Sequence, residues 1–278
     1  MQINLDHTIN SGQVFLWEKF GTKWYGINGS DVLSVDESNP GMVSSYQKQD
    51  YDLFREKDNF EKIIKSISQD KIIKKAVKEF AGLRLMRQDP FQCYISFIVS
   101  SNSSIQNIRR TLQNITIKFG KKIKFDNKEF YTFPEPKKLA NATRQELSSC
   151  GLGYRASFVK EASRLVSNGQ IDFDHLKKED YHTVKESLLK IFGIGDKVAD
   201  CILLFSLEKL ESFPLDRWII RSLQEYYPER FLFEGKTLTQ KKYQILHEEI
   251  TEYFGPYAGY CQQFLFKLIR ESNQKKWL

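Results

Sequence analysis

Lys197 and Asp216 are the residues whose types and surroundings most directly suggest chemistry. Lys197 lies in LLKIFGIGDKVADCILLFS, just after Gly193-Ile194-Gly195 and at the start of an apolar helical run. In the first turn of a helix the dipole disfavours a cation. That placement, with partial burial, lowers a lysine pKa, and a neutral amine is a nucleophile where an ammonium is not. Phe213-Pro214-Leu215-Asp216-Arg217 follows, with the carboxylate 19 residues beyond the amine. Its proline-fixed turn delivers that carboxylate just before a new helix. Each residue also has a plainer reading: Lys197 as a surface lysine on a phosphate, Asp216 as an N-cap.

The element that positions Lys197 reads as a helix–hairpin–helix over about 184–207. The spacing predicts a first helix ending at Phe192, a sharp turn at Gly193 and Gly195, and Asp196 capping the second helix. Val198, Ala199, Ile202 and Leu203 then pack inward. Such a hairpin lets backbone N–H groups approach a phosphate at a helix amino terminus. It positions a protein on DNA without reading sequence. On spacing alone, an ordinary tight connection and a phosphate binder stand level.

Around this hairpin the chain divides in two. VFLWEKF, KWYGIN and DVLSVDE read as short strands, with Asn28-Gly29 as a hairpin turn. From about Gln49 to Phe60 apolar residues shift to helical spacing. DPFQCYISFIVSSNSSIQNIRRTLQNITIKFG holds two helices joined near Ser100 to Ser104, and KKLANATRQELSSCGLGYRASFVKEASRLVSNG reads as helix, glycine-rich turn, helix. The last helix begins after Gly255-Pro256 and runs towards Ile269. The fold expected is α+β: an N-terminal antiparallel β-rich domain over 1–80, then a mostly α-helical domain over 81–278.

Composition bounds the partners. The 278 residues are 41% hydrophobic and 28% charged, a globular balance, and the net charge of +7 favours a polyanion. Lys121, Lys122 and Lys124 read as a solvated face. Cys93, Cys150, Cys201 and Cys261 form no CxxC pair, which argues against zinc or iron–sulfur ligation and for a reducing, intracellular compartment. The amino terminus does not read as a signal peptide, and no stretch reaches membrane-spanning length without charges.

The run GIGDKVADCILLFSL…FPLDRW resembles the helix–hairpin–helix glycosylases with a Gly/Pro-rich turn and an aspartate, and most of all the 8-oxoguanine DNA glycosylase/AP lyase family. NSGQVFLW, GLRLMRQDPFQCYISFIVSSNSSI, GLGYRASFV and FGPYAGYCQQFLF match that family in order, five segments over about 260 residues. The resemblance implies a bifunctional enzyme that flips 8-oxoguanine out of duplex DNA. It implies that Lys197 attacks the sugar C1′ to form a Schiff base, permitting β-elimination. It implies that Asp216 stabilises the cationic transition state and orients the amine.

For the base pocket the resemblance implies Phe266 and Cys201 as the two stacking faces. Gln262 would read the Watson–Crick edge, and the Gly12 carbonyl would accept the N7 hydrogen that guanine lacks. Asn102 would fill the vacated stack, Tyr154 would wedge beside the opposite base, Arg155 would donate to the estranged cytosine, and Gly193 and Gly195 would hold the backbone. The partner implied is double-stranded DNA containing oxidised guanine, bound by a monomer with no metal, organic cofactor or membrane, in the cell compartment that holds DNA. Without the family, Phe266 and Cys201 read as core, Gly12 as a turn, Asn102 as a loop cap, and Tyr154 and Arg155 as packing or phosphate contacts.

Three positions depart from the pattern. The family's second cytosine-reading arginine falls at Asn107, whose shorter neutral side chain lacks paired guanidinium donors. A histidine near the lesion's 5′ phosphate falls at Trp218, and its acidic partner at Ile269. Two rivals remain: a glycosylase of the same architecture for another damaged base, and a non-catalytic DNA-binding module, which does not require Lys197 and Asp216 together.

Overall fold

A computed structural model describes residues 2–232 and 238–275. It opens with α1 (Leu5–Ile9) and an antiparallel sheet of β1 (Trp17–Phe20), β2 (Lys23–Asn28), β3 (Asp31–Asp36) and β4 (Val43–Ser45), in that order. Pairing of Asn28 with Asp31 leaves Gly29-Ser30 as a two-residue turn, as the Asn-Gly signal predicts. Side chains alternate across the sheet. Trp17, Trp24, Leu33 and Val35 close one small core with Leu5, Ile9, Leu53, Phe54 and Met86, while Ile27 and Val32 join the main core.

A second hairpin, β5 (Lys122–Phe125) with β6 (Lys128–Tyr131), covers Tyr25. Phe130 stacks on Tyr25 at 5.4 Å, and Asp126 accepts from the Tyr25 hydroxyl at 3.1 Å. The lysine run read as a solvated face is therefore partly strand: Lys122 and Lys124 flank the buried Ile123. Four-residue strands are too short for their alternation to stand out from the charge around them.

The helical body contains α2 (Phe60–Ile67), α3 (Lys71–Glu79), α4 (Pro90–Val99), α5 (Ile105–Phe119), α6 (Pro136–Asn141), α7 (Arg144–Leu147), α8 (Arg155–Ser167), α9 (Phe173–Lys178), α10 (Tyr181–Leu189), α11 (Asp196–Ser206), α12 (Arg217–Tyr226), α13 (Gln240–Phe254) and α14 (Ala258–Lys275). Residues 91–99 of α4 and 198–206 of α11 are all buried, so both helices lie inside the body. Phe97 and Phe205 stack between them at 5.3 Å, 13° from parallel. At its other end α11 also meets α4: Lys197, in its first turn, reaches Ser100, the C-cap of α4.

The N-terminal loop is tied to this body. Buried Gln13 donates through Nε2 to the carbonyls of Thr8 and Arg84 and to Ser11 Oγ, and its Oε1 accepts from Met86 N–H at 2.7 Å. Gln263 of α14 donates to the Ser11 carbonyl at 2.7 Å. These bonds flank Gly12 on both sides.

Two boundaries differ from expectation. The helix before the glycine turn ends at Leu189, and residues 191 and 194 close successive turns instead. The last helix does not stop near Ile269 but continues to Lys275, supported by a Lys267–Glu271 ion pair of 2.8 Å one turn apart.

Candidate active site

Gly193 has φ +93°, and a Cβ there would come within 2.4 Å of Phe158 Cγ on α8. Gly195 is extended, and nothing lies within 4 Å of where its Cβ would be. Gly195, rather than Asp196, is the N-cap of α11, and no side chain caps the helix. Asp196 fails as a cap because it is already the first helical residue. Its carboxyl points towards Lys185 Nζ at 3.9 Å, and burial raises its pKa. The leading N–H groups of α11 therefore have no side-chain acceptor, which suits an incoming anion. Lys197 Nζ donates to Ser100 Oγ, the C-cap residue of α4, at 3.1 Å and lies 5.4 Å from the Phe97 ring centroid.

Asp216 is the N-cap of α12. Its Oδ1 accepts both the Trp218 and Ile219 N–H groups at 2.9 Å, leaving Oδ2 with no donor among the described residues. Burial raises the carboxyl pKa above its usual range, and the neighbouring Lys197 amine opposes that rise. The plainer N-cap reading and an electrostatic role thus coexist on different oxygens. Lys197 and Asp216 feel each other without closing an ion pair.

A buried polar cluster that the sequence reading did not single out fixes both elements. Asp200, three residues after Lys197, is fully buried. It accepts from Tyr181 (2.7 Å), Ser212 (3.2 Å), Tyr243 (2.6 Å) and Lys185 (3.1 Å). Tyr243 in turn accepts from Leu215 N–H at 3.0 Å, and His247 from Phe213 N–H at 3.3 Å. Burial drives the His247 pKa down to about 4, so the ring is neutral and can accept. The cluster therefore anchors the Phe213–Asp216 turn to the helix that carries Lys197. A lone aspartate within VADCILLF was the available signal, because a buried charge requires partners.

The expected pocket residues gather around this pair. Gly12 has φ +84°, and a Cβ there would come within 2.8 Å of Phe266 Cε1. Gln262, one turn before Phe266, is buried and donates weakly to the Pro214 carbonyl at 3.4 Å. Its Oε1 is buried without a partner, an acceptor waiting for a donor. Cys201 is buried beside Lys197, and burial pushes its thiol up to about 12, so it is neutral. No hydrogen bond joins Cys201 to Phe266 or Gln262 among the described residues. A cavity of about 530 Å³, lined by Asp180, Tyr181 and His247 among others, adjoins the polar cluster but includes neither Lys197 nor Asp216. Among the described residues no group of His, Cys, Asp and Glu is placed to hold a metal.

A third group is exposed. Asn102 sits at φ +49° on the loop between α4 and α5. Tyr154 is 55% and Phe192 66% exposed, and Phe158 meets both rings edge-on. This row ties the glycine turn to the start of α8. Arg155 donates to the Ser101 carbonyl and, at 3.1 Å, to the Asn102 carbonyl, so it clasps the loop that carries Asn102. Asn107 is exposed and accepts from Arg110 at 3.1 Å. Trp218 is half-buried and Ile269 fully buried.

Residues 1–94 match the model of the 8-oxoguanine DNA glycosylase N-terminal domain, and residues 95–244 that of the HhH-GPD superfamily base excision DNA repair proteins. A probable N-glycosylase/DNA lyase of Methanothermobacter thermautotrophicus is 33% identical over 74% of this chain and 69% of its own length. The N-glycosylase/DNA lyase OGG1 of Arabidopsis thaliana is 26% identical over 95% of this chain and 77% of its own. The 8-oxoguanine glycosylase/lyase of Clostridium acetobutylicum, solved with double-stranded DNA carrying cytosine opposite the lesion, superposes with a TM-score of 0.86 at 31% identity. That match covers 98% of this chain and 93% of the other.

Two stability measurements test this geometry. Gly193→Ala should lose about 2 kcal/mol in urea unfolding, from positive-φ strain and the Phe158 clash. Gly195→Ala, entering open space, should stay within about 0.5 kcal/mol of the parent. Asp216→Asn keeps the cap but removes a half-buried charge. A folded-state pKa raised above the unfolded one contributes stability at low pH that is lost as pH rises through the folded value. Thermal melts should therefore show Asp216→Asn gaining on the parent as pH rises from below the ordinary carboxylate range towards neutrality. A gap independent of pH would contradict it.

Proposed function

The chain belongs to the 8-oxoguanine glycosylase family of the HhH-GPD superfamily, and we propose on that footing that it is a bifunctional DNA glycosylase and AP lyase excising 8-oxoguanine from duplex DNA. The observation that carries the reading is the meeting of Lys197 with a half-buried Asp216 at the end of a helix–hairpin–helix.

The chemistry follows from the two groups. The damaged nucleotide leaves the stack, because its sugar is out of reach inside it. As a free amine, having given up its proton, Lys197 Nζ forms a bond to C1′ as the bond from C1′ to the base nitrogen breaks. The base departs with that electron pair and takes up a proton. Positive charge at C1′ and the ring oxygen is stabilised by Asp216 Oδ2, strongly so because the carboxylate is sheltered from water. A raised carboxyl pKa also makes Asp216 a better proton acceptor for an ammonium than an ordinary aspartate. Opening of the sugar ring gives the Schiff base. Loss of a proton from C2′ then expels the 3′ phosphate, which is the lyase step.

The remaining roles are assigned with the pair. The unpaired Oε1 of Gln262 takes a donor of the flipped base, Phe266 and the neutral thiol of Cys201 flank its faces, and the Gly12 carbonyl takes the N7 hydrogen. Asn102 and Tyr154 enter the duplex, and Gly193 and Gly195 admit a phosphate to the start of α11. Trp218 shapes the site through its backbone bond to Asp216. Arg155 is already committed to the Ser101 and Asn102 carbonyls, so it supports the inserted loop as much as it reads the opposite base. The protein acts where DNA is, and none of its described helices is long and apolar enough to cross a membrane.

Borohydride reduction on an 8-oxoguanine duplex should trap a covalent protein–DNA adduct, absent in Lys197→Gln. Tight binding of the parent protein without an adduct would make it a binding module instead. With Asn107 neutral, excision rates opposite cytosine, adenine, guanine and thymine should differ by less than about tenfold, since one lost bidentate contact is worth ~1–3 kcal/mol of discrimination. A steep preference for cytosine would refute that.

A further inference from the structure

Gln262 and Phe266 lie one turn apart on α14, and the same stripe reaches Arg270 one turn later. The Arg270 guanidinium lies over the Phe266 ring, 5.4 Å from its centroid. It makes no hydrogen bond or ion pair with any described residue, although it is only half exposed. A cation–π contact of this kind uses none of the guanidinium N–H donors, which stay free for other partners. Burial lowers its pKa, the Asp216 carboxylate opposes this, and Arg109 adds to it.

Arg109, on α5, comes from the other side. It reaches Asn10 Oδ1 at 3.4 Å through Nη2, and its Nε is buried without a partner. Asn10 stands two residues before Gly12, and Ile105, one turn before Arg109, would touch a Cβ on Gly12 at 3.5 Å. The two cations therefore flank the point where Gly12 and Phe266 meet. They repel each other and retain unfilled donors, a combination an anion between them would satisfy.

We propose that Arg270, with Arg109 behind it, binds a backbone phosphate adjoining the extruded nucleotide and so holds its sugar over Lys197. This rests on the glycosylase reading and adds a positioning residue to it. Phosphate fits because it is the anion that every duplex brings to the mouth of such a pocket, and planar guanidinium donors match its oxygens.

The test is equilibrium binding to a duplex holding a non-cleavable tetrahydrofuran site, across a salt series. Arg270→Ala should bind about tenfold more weakly, the cost of one charge-assisted contact, and its slope of log affinity against log salt should flatten by about 0.9. Arg270→Lys should keep the slope. Replacing single phosphates on either side of the site by neutral methylphosphonate should weaken the parent at one position and leave Arg270→Ala unaffected there. An unchanged slope in Arg270→Ala, or equal losses in both proteins at every position, would overturn the proposal. If the alanine variant does not fold, Arg270→Gln, which keeps the stem against Phe266, gives the same readings. Absence of borohydride trapping in the parent protein would defeat the lyase reading and leave this binding test intact.

Discussion

Partial burial of the Asp216 carboxyl beside the Lys197 amine is the constraint around which the rest of the molecule is arranged. A carboxylate withdrawn from water is unfavourable unless something compensates it. Here the two N–H groups at the start of α12 bind one oxygen, and the Lys197 amine acts on the carboxyl from a distance. Incomplete compensation leaves a carboxyl with a raised pKa and an unoccupied oxygen. That is a poor arrangement for stability and a good one for a group that meets positive charge only when substrate arrives.

The scaffolding explains how such a pair persists. α11 is buried along its length after Lys197, stacked on α4 through Phe205 and Phe97. The turn that delivers Asp216 is fastened to α11 through Asp200, Tyr243 and His247. Asp200 itself is fully buried, yet satisfied by four donors, so its burial fixes geometry rather than storing reactivity. Asp216 is only half-buried and keeps one oxygen without a donor, and that difference separates a structural charge from a chemical one.

Much of this was legible in the sequence. The strand and helix order, the Asn28-Gly29 turn and the glycine turn before Lys197 follow from periodicity and turn chemistry. The sequence points to Asp196 as the cap, whereas Gly195 takes the extended cap conformation and shifts the helix start by one residue, a difference that residue type alone does not resolve. Phe192 looked helical because its apolar character suits a core, but it is exposed and packs edge-on against Phe158. The Asp200 cluster joins residues from 181 to 247, and no local pattern reveals a network closed only in three dimensions. Arg270 was hidden for a related reason: the predicted end of the last helix fell one residue before it.

The most direct test of the central claim is a carbon-13 NMR titration of the Asp216 carboxyl in the parent protein and in Lys197→Met. The coupling of burial and amine predicts a midpoint above the ordinary aspartate value of about 3.9, moving higher still when the lysine charge is removed. A midpoint at or below that ordinary value, or one that ignores the loss of Lys197, would contradict it.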